Sequence, residues 1–199
     1  GKPMIGDVER DAMTAVLQGT ILTHGPKCAE FETAFAGYVG VKHAISTSNC
    51  TTAIHLGLIA CGVGFGDEVI VPAMTHVATA HAVEHCGAVP IFVDIDIETG
   101  CIDPKLIEEK ITQKTKVIIV VHFIGLPCDM TSINAVAEKY NIDVIEDSAT
   151  ALGAKYNNKF AGSLGKLGCF SFYPTKHITS LERRMLTTVD AQVAAKGRS

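Results

Sequence analysis

Long apolar runs are missing from this chain: none of its stretches approaches the ~20 residues a membrane-spanning helix requires. No basic segment followed by an apolar one opens it, so the pattern of a secretory signal is absent too. Positive charge is not in excess. The formal net charge of −4 argues against a non-specific nucleic-acid binder or a protein held on an anionic membrane. No CxxC pair occurs among the seven cysteines (Cys28, Cys50, Cys61, Cys86, Cys101, Cys128, Cys169), whose number is odd and whose spacing is scattered. They read as free, buried thiols in a reducing cytoplasm, not as a disulfide framework. Internal repeats, low-complexity tracts and linkers are lacking as well, which leaves one continuous domain. With 47% hydrophobic and 19% charged residues the chain is expected to fold, and 199 residues suffice for a core. A chain of this length buries roughly 70% of its unfolded surface.

What is present is alternation. Residues 7–17 read as a helix stopped near Gly19, and residues 27–39 place Cys28, Phe31, Ala34, Phe35 and Tyr38 on one helical face. Both precede any strand, so residues 1–40 are expected to form an N-terminal helical arm over a domain spanning 41–199. Strands are then expected at 43–46, 68–71, 89–93, 117–121 and 144–146, with helices at 51–61, 77–86, 104–111 and 132–140 between and after them. Asp103 as N-cap and Pro104 at the first position open the third of these helices. Further strands fit near 153–156, 169–172 and 185–188. Such alternation predicts an α/β fold in three αβα layers around a mostly parallel sheet. The chain begins at Gly1, not methionine, and stops at Arg198-Ser199 in a helix begun near Ala191. A C-terminal part is therefore expected to be missing.

Four stretches carry chemistry. In Cys169–His177, Pro174 ends an apolar run and releases Thr175 and Lys176 into a loop, at the kind of strand end where open α/β sheets keep ligands. A partly desolvated lysine there is a candidate covalent nucleophile. Ser48-Asn49-Cys50-Thr51-Thr52-Ala53 joins the first strand to a helix, where free N–H groups and two hydroxyls could seat an anion or where Ser48 or Asn49 simply caps. Glu146-Asp147 closes an apolar strand, so Asp147 is expected at the sheet's carboxyl edge, in need of a cationic partner. His81-Ala82-Val83-Glu84-His85 matches the H-x-x-E-H pattern of inverted zinc peptidases, a function that requires a third ligand from elsewhere. The glycine-rich Gly162–Gly168 fits no nucleotide signature and reads as a tight turn delivering the next strand.

In order along the chain, Ile21–Pro26 with Phe31-Glu32, Gly66–Pro72, Pro90–Asp96, Val121–Gly125, Val144–Asp147, Gly162–Gly165 and Ser171–Lys176 resemble the DegT/DnrJ/StrS family of pyridoxal-phosphate sugar aminotransferases. The resemblance covers nearly the whole chain. It implies the large cofactor domain of fold type I transferases, with the C-terminal small domain absent, and a homodimer in the cytoplasm. By the same resemblance, Lys176 holds pyridoxal 5′-phosphate as an aldimine and shuttles a proton. Asp147 pairs with the pyridine nitrogen, Thr51, Thr52 and Ser171 bind the phosphate, and His76 stacks on the ring. The implied reaction moves an amino group from an amino acid, glutamate by analogy, to a nucleotide-linked keto sugar.

Three departures bear on that reading. Leu181-Glu182-Arg183-Arg184 stands where the family has Gly-Glu-Gly-Gly, Thr150 where Gln or His is common, and Cys50 where glycine is usual. They keep open a cofactor-binding but inactive or regulatory relative. A zinc hydrolase built on His81 and His85 is the remaining alternative.

Overall fold

The computed structural model describes residues 3–22, 25–180 and 184–198. Helices α1 (Asp7–Leu17) and α2 (Pro26–Val39) precede β1 (His43–Thr47). Then follow α3 (Cys50–Ala60), β2 (Glu68–Pro72), α4 (Ala78–Glu84), β3 (Val89–Val93), α5 (Pro104–Ile107), β4 (Thr115–Val121), α6 (Met130–Tyr140) and β5 (Asp143–Asp147). A short hairpin of β6 (Lys155–Tyr156) and β7 (Lys159–Phe160) leads to β8 (Leu167–Ser171), β9 (Arg184–Thr188) and α7 (Ala191–Arg198).

Among the described residues, seven strands make one sheet in the order β1-β9-β8-β5-β4-β2-β3. β3, β2, β4, β5 and β8 run parallel, and β9 lies antiparallel between β8 and β1. The expected mostly parallel αβα architecture is therefore observed. The solid apolar run of β4 is explained by burial on both faces. Val117 and Ile119 pack with Ile54 and Leu58 of α3, and with Ala82 and Val83 of α4. Ile118 and Val120 pack with Ile107 of α5, and with Met130 and Ile133 of α6.

Asp103 caps α5 as expected, its side chain accepting from the Lys105 N–H at 3.0 Å. That helix is shorter than the pattern predicts, because it tightens into a 3₁₀ turn at Glu108–Lys110. α1 spans the expected residues, but the buried face of α2 differs from expectation. α1 has no buried residue, whereas α2 lays Phe35, Ala36 and Val39 into a cluster with Phe170, Phe172 and Met185. The buried face of α2 is turned away from Ala34 and Tyr38, both exposed, and includes Glu32. An acidic residue is held there because Glu32 accepts the Ser46 N–H at 2.8 Å and pairs with Arg198 of α7 at 2.7 Å. Burial opposes its charge, but these partners win and hold its carboxyl below the usual range.

Candidate active site

The parallel strands bring their carboxyl ends to one edge, and the expected polar residues arrive there by chain order. Asp147 ends β5, Ser171 ends β8, and the first turn of α3 follows β1. Register then fixes which face each side chain takes. Asp147 lies beside Cys169, and two residues on, Ser171 lies beside Arg184, which in turn opposes Thr47. All five therefore face the layer of α3 and α4.

Over this face lies a cavity of about 500 Å³. Thr51, His76, Asp147, Ser171 and Lys176 line it together. Thr52, expected beside them, does not: its N–H and its hydroxyl both bond Asn49 Oδ1, at 2.7 and 3.0 Å. Asn49, not Ser48, is thus the cap of α3, and the hydroxyl of Thr52 is taken into the cap. The N–H groups of Cys50 and Thr51, in the first helical turn, have no carbonyl within the helix to bond.

Asp147 is 6% exposed. Its Oδ2 accepts the Thr79 hydroxyl at 3.0 Å and its Oδ1 the Ala149 N–H at 3.1 Å. Thr79 is in turn 3.0 Å from the Thr75 hydroxyl. Burial raises the carboxyl's pKa above its ordinary value, despite those two donors and the positive charge of Lys176. Cys50 shares the wall: burial and then the Asp147 charge push its thiol well above the usual range, against the pull of Arg184 and Lys176.

Lys176 is half-buried in a turn closed by its own N–H on the Tyr173 carbonyl at 2.8 Å. The strand before it ends at Ser171, ahead of Pro174. His76 is exposed at the rim, and its Nδ1 accepts the Ala78 N–H at 3.2 Å at the start of α4. Thr150 lines the cavity but donates its hydroxyl to the His122 carbonyl at 3.2 Å.

Sequence reasoning missed four contributors. Thr79 is a buried helical hydroxyl with no motif to announce it. Ile124 lines the wall in a left-handed conformation (φ 51°), a costly state for a β-branched residue that no sequence signal foretells. Arg184 was visible only as a departure from a glycine pattern, yet it lines the cavity at 4% exposure. Leu181, Glu182 and Arg183 of the same stretch lie outside the described residues. The fourth is the pair of Glu146 and His122, whose side chains meet at 2.8 Å. Each ends an apolar run on neighbouring strands, and that shared position was the available signal.

The H-x-x-E-H stretch gives a different result. His81 and His85 are exposed, and the His85 ring lies 5.7 Å from that of His55. Among the described residues no three His, Cys, Asp or Glu side chains are grouped to hold a metal ion. No helix among them is long and apolar enough to cross a membrane.

Comparison with known proteins gives concordant findings. The model of the DegT/DnrJ/EryC1/StrS aminotransferase family matches residues 3–199. GDP-perosamine synthase of Caulobacter vibrioides is 48% identical over 197 residues, covering 98% of this chain and 53% of that protein. The aminotransferase from Psychrobacter cryohalolentis superposes with a TM-score of 0.96 at 41% identity, over 100% of this chain and 51% of its own. NtdA from Bacillus subtilis, solved with bound cofactor PMP, gives 0.87 at 36% identity, over 97% and 45%. The chain spans about half the length of the relatives it matches.

Proposed function

The chain belongs to the DegT/DnrJ/EryC1/StrS aminotransferase family, and from that premise we propose that it is the cofactor-binding part of a pyridoxal 5′-phosphate-dependent sugar aminotransferase. In this reading residues 41–199 are the large domain and 1–40 an arm, and two copies associate as a homodimer. The amino donor is an amino acid, glutamate, and the acceptor a nucleotide-linked keto sugar. The name of the GDP-perosamine synthase relative supports the acceptor class.

The observation that carries the reading is Asp147, a buried carboxylate that receives two hydrogen bonds from the described residues and faces a cavity containing an amine. A carboxylate has about four acceptor sites, and a protonated pyridine nitrogen is the partner it needs. The residues present therefore fit this cofactor. Lys176 would hold it covalently, and His76 would stack on its ring. Thr51, Ser171 and the first-turn N–H groups of α3 would take its phosphate.

When bound, the cofactor supplies an electron sink for the charge that develops at the substrate's Cα. The protein's own groups do the rest. Asp147, ionised by a cationic partner, keeps positive charge at the floor of the cavity. Lys176, once released, moves the proton at Cα and is the general base and acid of the reaction. Burial on the α3 side excludes water from that proton.

The test is titration with pyridoxal 5′-phosphate, followed by borohydride and peptide mapping. The parent should gain an absorbance near the visible–ultraviolet border and a reduced adduct on Lys176. No adduct, or equal labelling of Lys176→Ala, would overturn the reading. A cofactor-binding but non-catalytic relative is the second reading, favoured by the presence of Arg184 among the groups that line the cavity. It predicts the adduct without transfer of the amino group from glutamate, and glutamate-driven loss of the absorbance would exclude it.

A further inference from the structure

Arg184 has a bulky cationic side chain where the resembling family has glycine, and the fold holds it inside the cavity. At 4% exposure it cannot swing into solvent. Its guanidinium carbon lies 5.6 Å over the Tyr173 ring, a cation–π contact that holds the planar group against one wall. Register places it in a row between Thr47 and Ser171, on the face covered by α3. Its charge is felt at Cys50, in the first turn of that helix. A fixed guanidinium, a serine hydroxyl and the first-turn N–H groups of an 11-residue helix thus line one cavity.

Resting on the cofactor reading above, we propose that Arg184 is a binding residue for a phosphate dianion seated between the N-terminus of α3 and Ser171. The physical reason is charge. A phosphate monoester carries about −1.5 to −2 at neutral pH, and a helix end offers only about half a positive charge. The remaining charge needs a cation, and the guanidinium fork matches two phosphate oxygens. In this protein Arg184 is that cation, so the glycine-to-arginine departure adds to the phosphate seat.

The experiment compares three ligands on the parent chain and on Arg184→Gln: inorganic phosphate by calorimetry at constant ionic strength, and pyridoxal 5′-phosphate and pyridoxal by absorbance. Arg184→Gln should weaken both phosphate-bearing ligands about tenfold or more, the scale of a lost charge-assisted hydrogen bond, and leave pyridoxal unchanged. Equal affinities for the two phosphates overturn the proposal, as does an equal loss for pyridoxal, which would make Arg184 a support of cavity shape. Failure of the parent to bind inorganic phosphate overturns it whatever pyridoxal does. Arg184-dependent phosphate binding without any adduct on Lys176 would sink the cofactor reading and leave the anion seat standing. Circular dichroism checks folding. If Gln prevents it, Arg184→Lys keeps the charge and loses the fork, and should still weaken phosphate several-fold; unchanged affinity there also overturns the proposal.

Discussion

Glu146 and Asp147 are neighbours on one strand, almost equally removed from water at 0% and 6% exposure, and they do opposite things. Alternation along β5 aims Glu146 toward the α6 side and Asp147 toward α3 and α4. Glu146 accepts from the N–H groups of Gly162, Leu164 and Gly165 at 2.6, 2.7 and 2.7 Å, and from His122 Nε2 at 2.8 Å. His122 Nδ1 accepts the Cys128 N–H at 3.1 Å, so the ring proton is assigned to Nε2. Four donors saturate this carboxylate, and in doing so it folds the glycine-rich turn onto the sheet. That turn needs its glycines: a Cβ on Gly165 would meet the Val144 carbonyl oxygen at 2.7 Å. Among the described residues Asp147 has two donors, and a cavity lies in front of it. A saturated buried carboxylate serves the fold, and an unsaturated one marks where a ligand completes it.

The sharpest break of this comparison comes from removing Glu146. Glu146→Ala leaves three backbone N–H groups and an imidazole N–H buried without their acceptor, and should lose about 3–5 kcal/mol of stability in denaturant unfolding. Asp147→Asn should leave stability close to the parent's while slowing the glutamate half-reaction about 10²–10³-fold, as loss of a preorganised electrostatic partner does. Rapid-mixing spectroscopy of the cofactor-loaded protein reads that rate. On the cavity wall, Ile124→Gly relieves the φ of 51° and should raise unfolding free energy by about 1 kcal/mol. Asn49→Ala removes the α3 cap and should cost about 1 kcal/mol by the same measurement.

The smallest effect is a pH dependence. Burial holds the Asp147 carboxyl above its ordinary value of 3.8, so the folded chain binds that proton more tightly than the unfolded one. The residue's contribution is most favourable below 3.8 and declines as pH rises to the raised folded value. Cofactor-free Asp147→Asn should therefore lack that decline and melt slightly higher than the parent at neutral pH. Thermal melts across the acid range check it. Glu32 has the opposite sign: its lowered pKa adds stability above 4.5 that is lost as pH falls through the folded value.

Much of this was legible from residue order. Strand ends after apolar runs announced Asp147 and Lys176, because burial on both faces writes an unbroken apolar signal and a polar residue interrupts it; Ser171 entered only through the family resemblance. The reversed direction of β9 was not announced. β9 has the same composition whether parallel or antiparallel, so its insertion between β8 and β1 is a tertiary fact. The face of α2 was misread because Glu32 is buried through Ser46 and Arg198, partners 14 and 166 residues away. Thr52 could not be told from Thr51 by type; only the cap geometry separates them. Thr79 and Ile124 carry no pattern at all, since a single hydroxyl and a single dihedral depend on what the fold brings beside them.

One paired measurement tests the central claim, that of two adjacent buried carboxylates one belongs to the fold and the other to a ligand. Asp147→Asn and Glu146→Gln are melted and titrated with pyridoxal 5′-phosphate side by side. The account predicts that Asp147→Asn melts at or above the parent's temperature with its cofactor affinity or spectrum lost. Glu146→Gln should melt well below it yet keep the parent's spectrum wherever it is folded. Asp147→Asn melting as early as Glu146→Gln, or taking up the cofactor as the parent does, would contradict it.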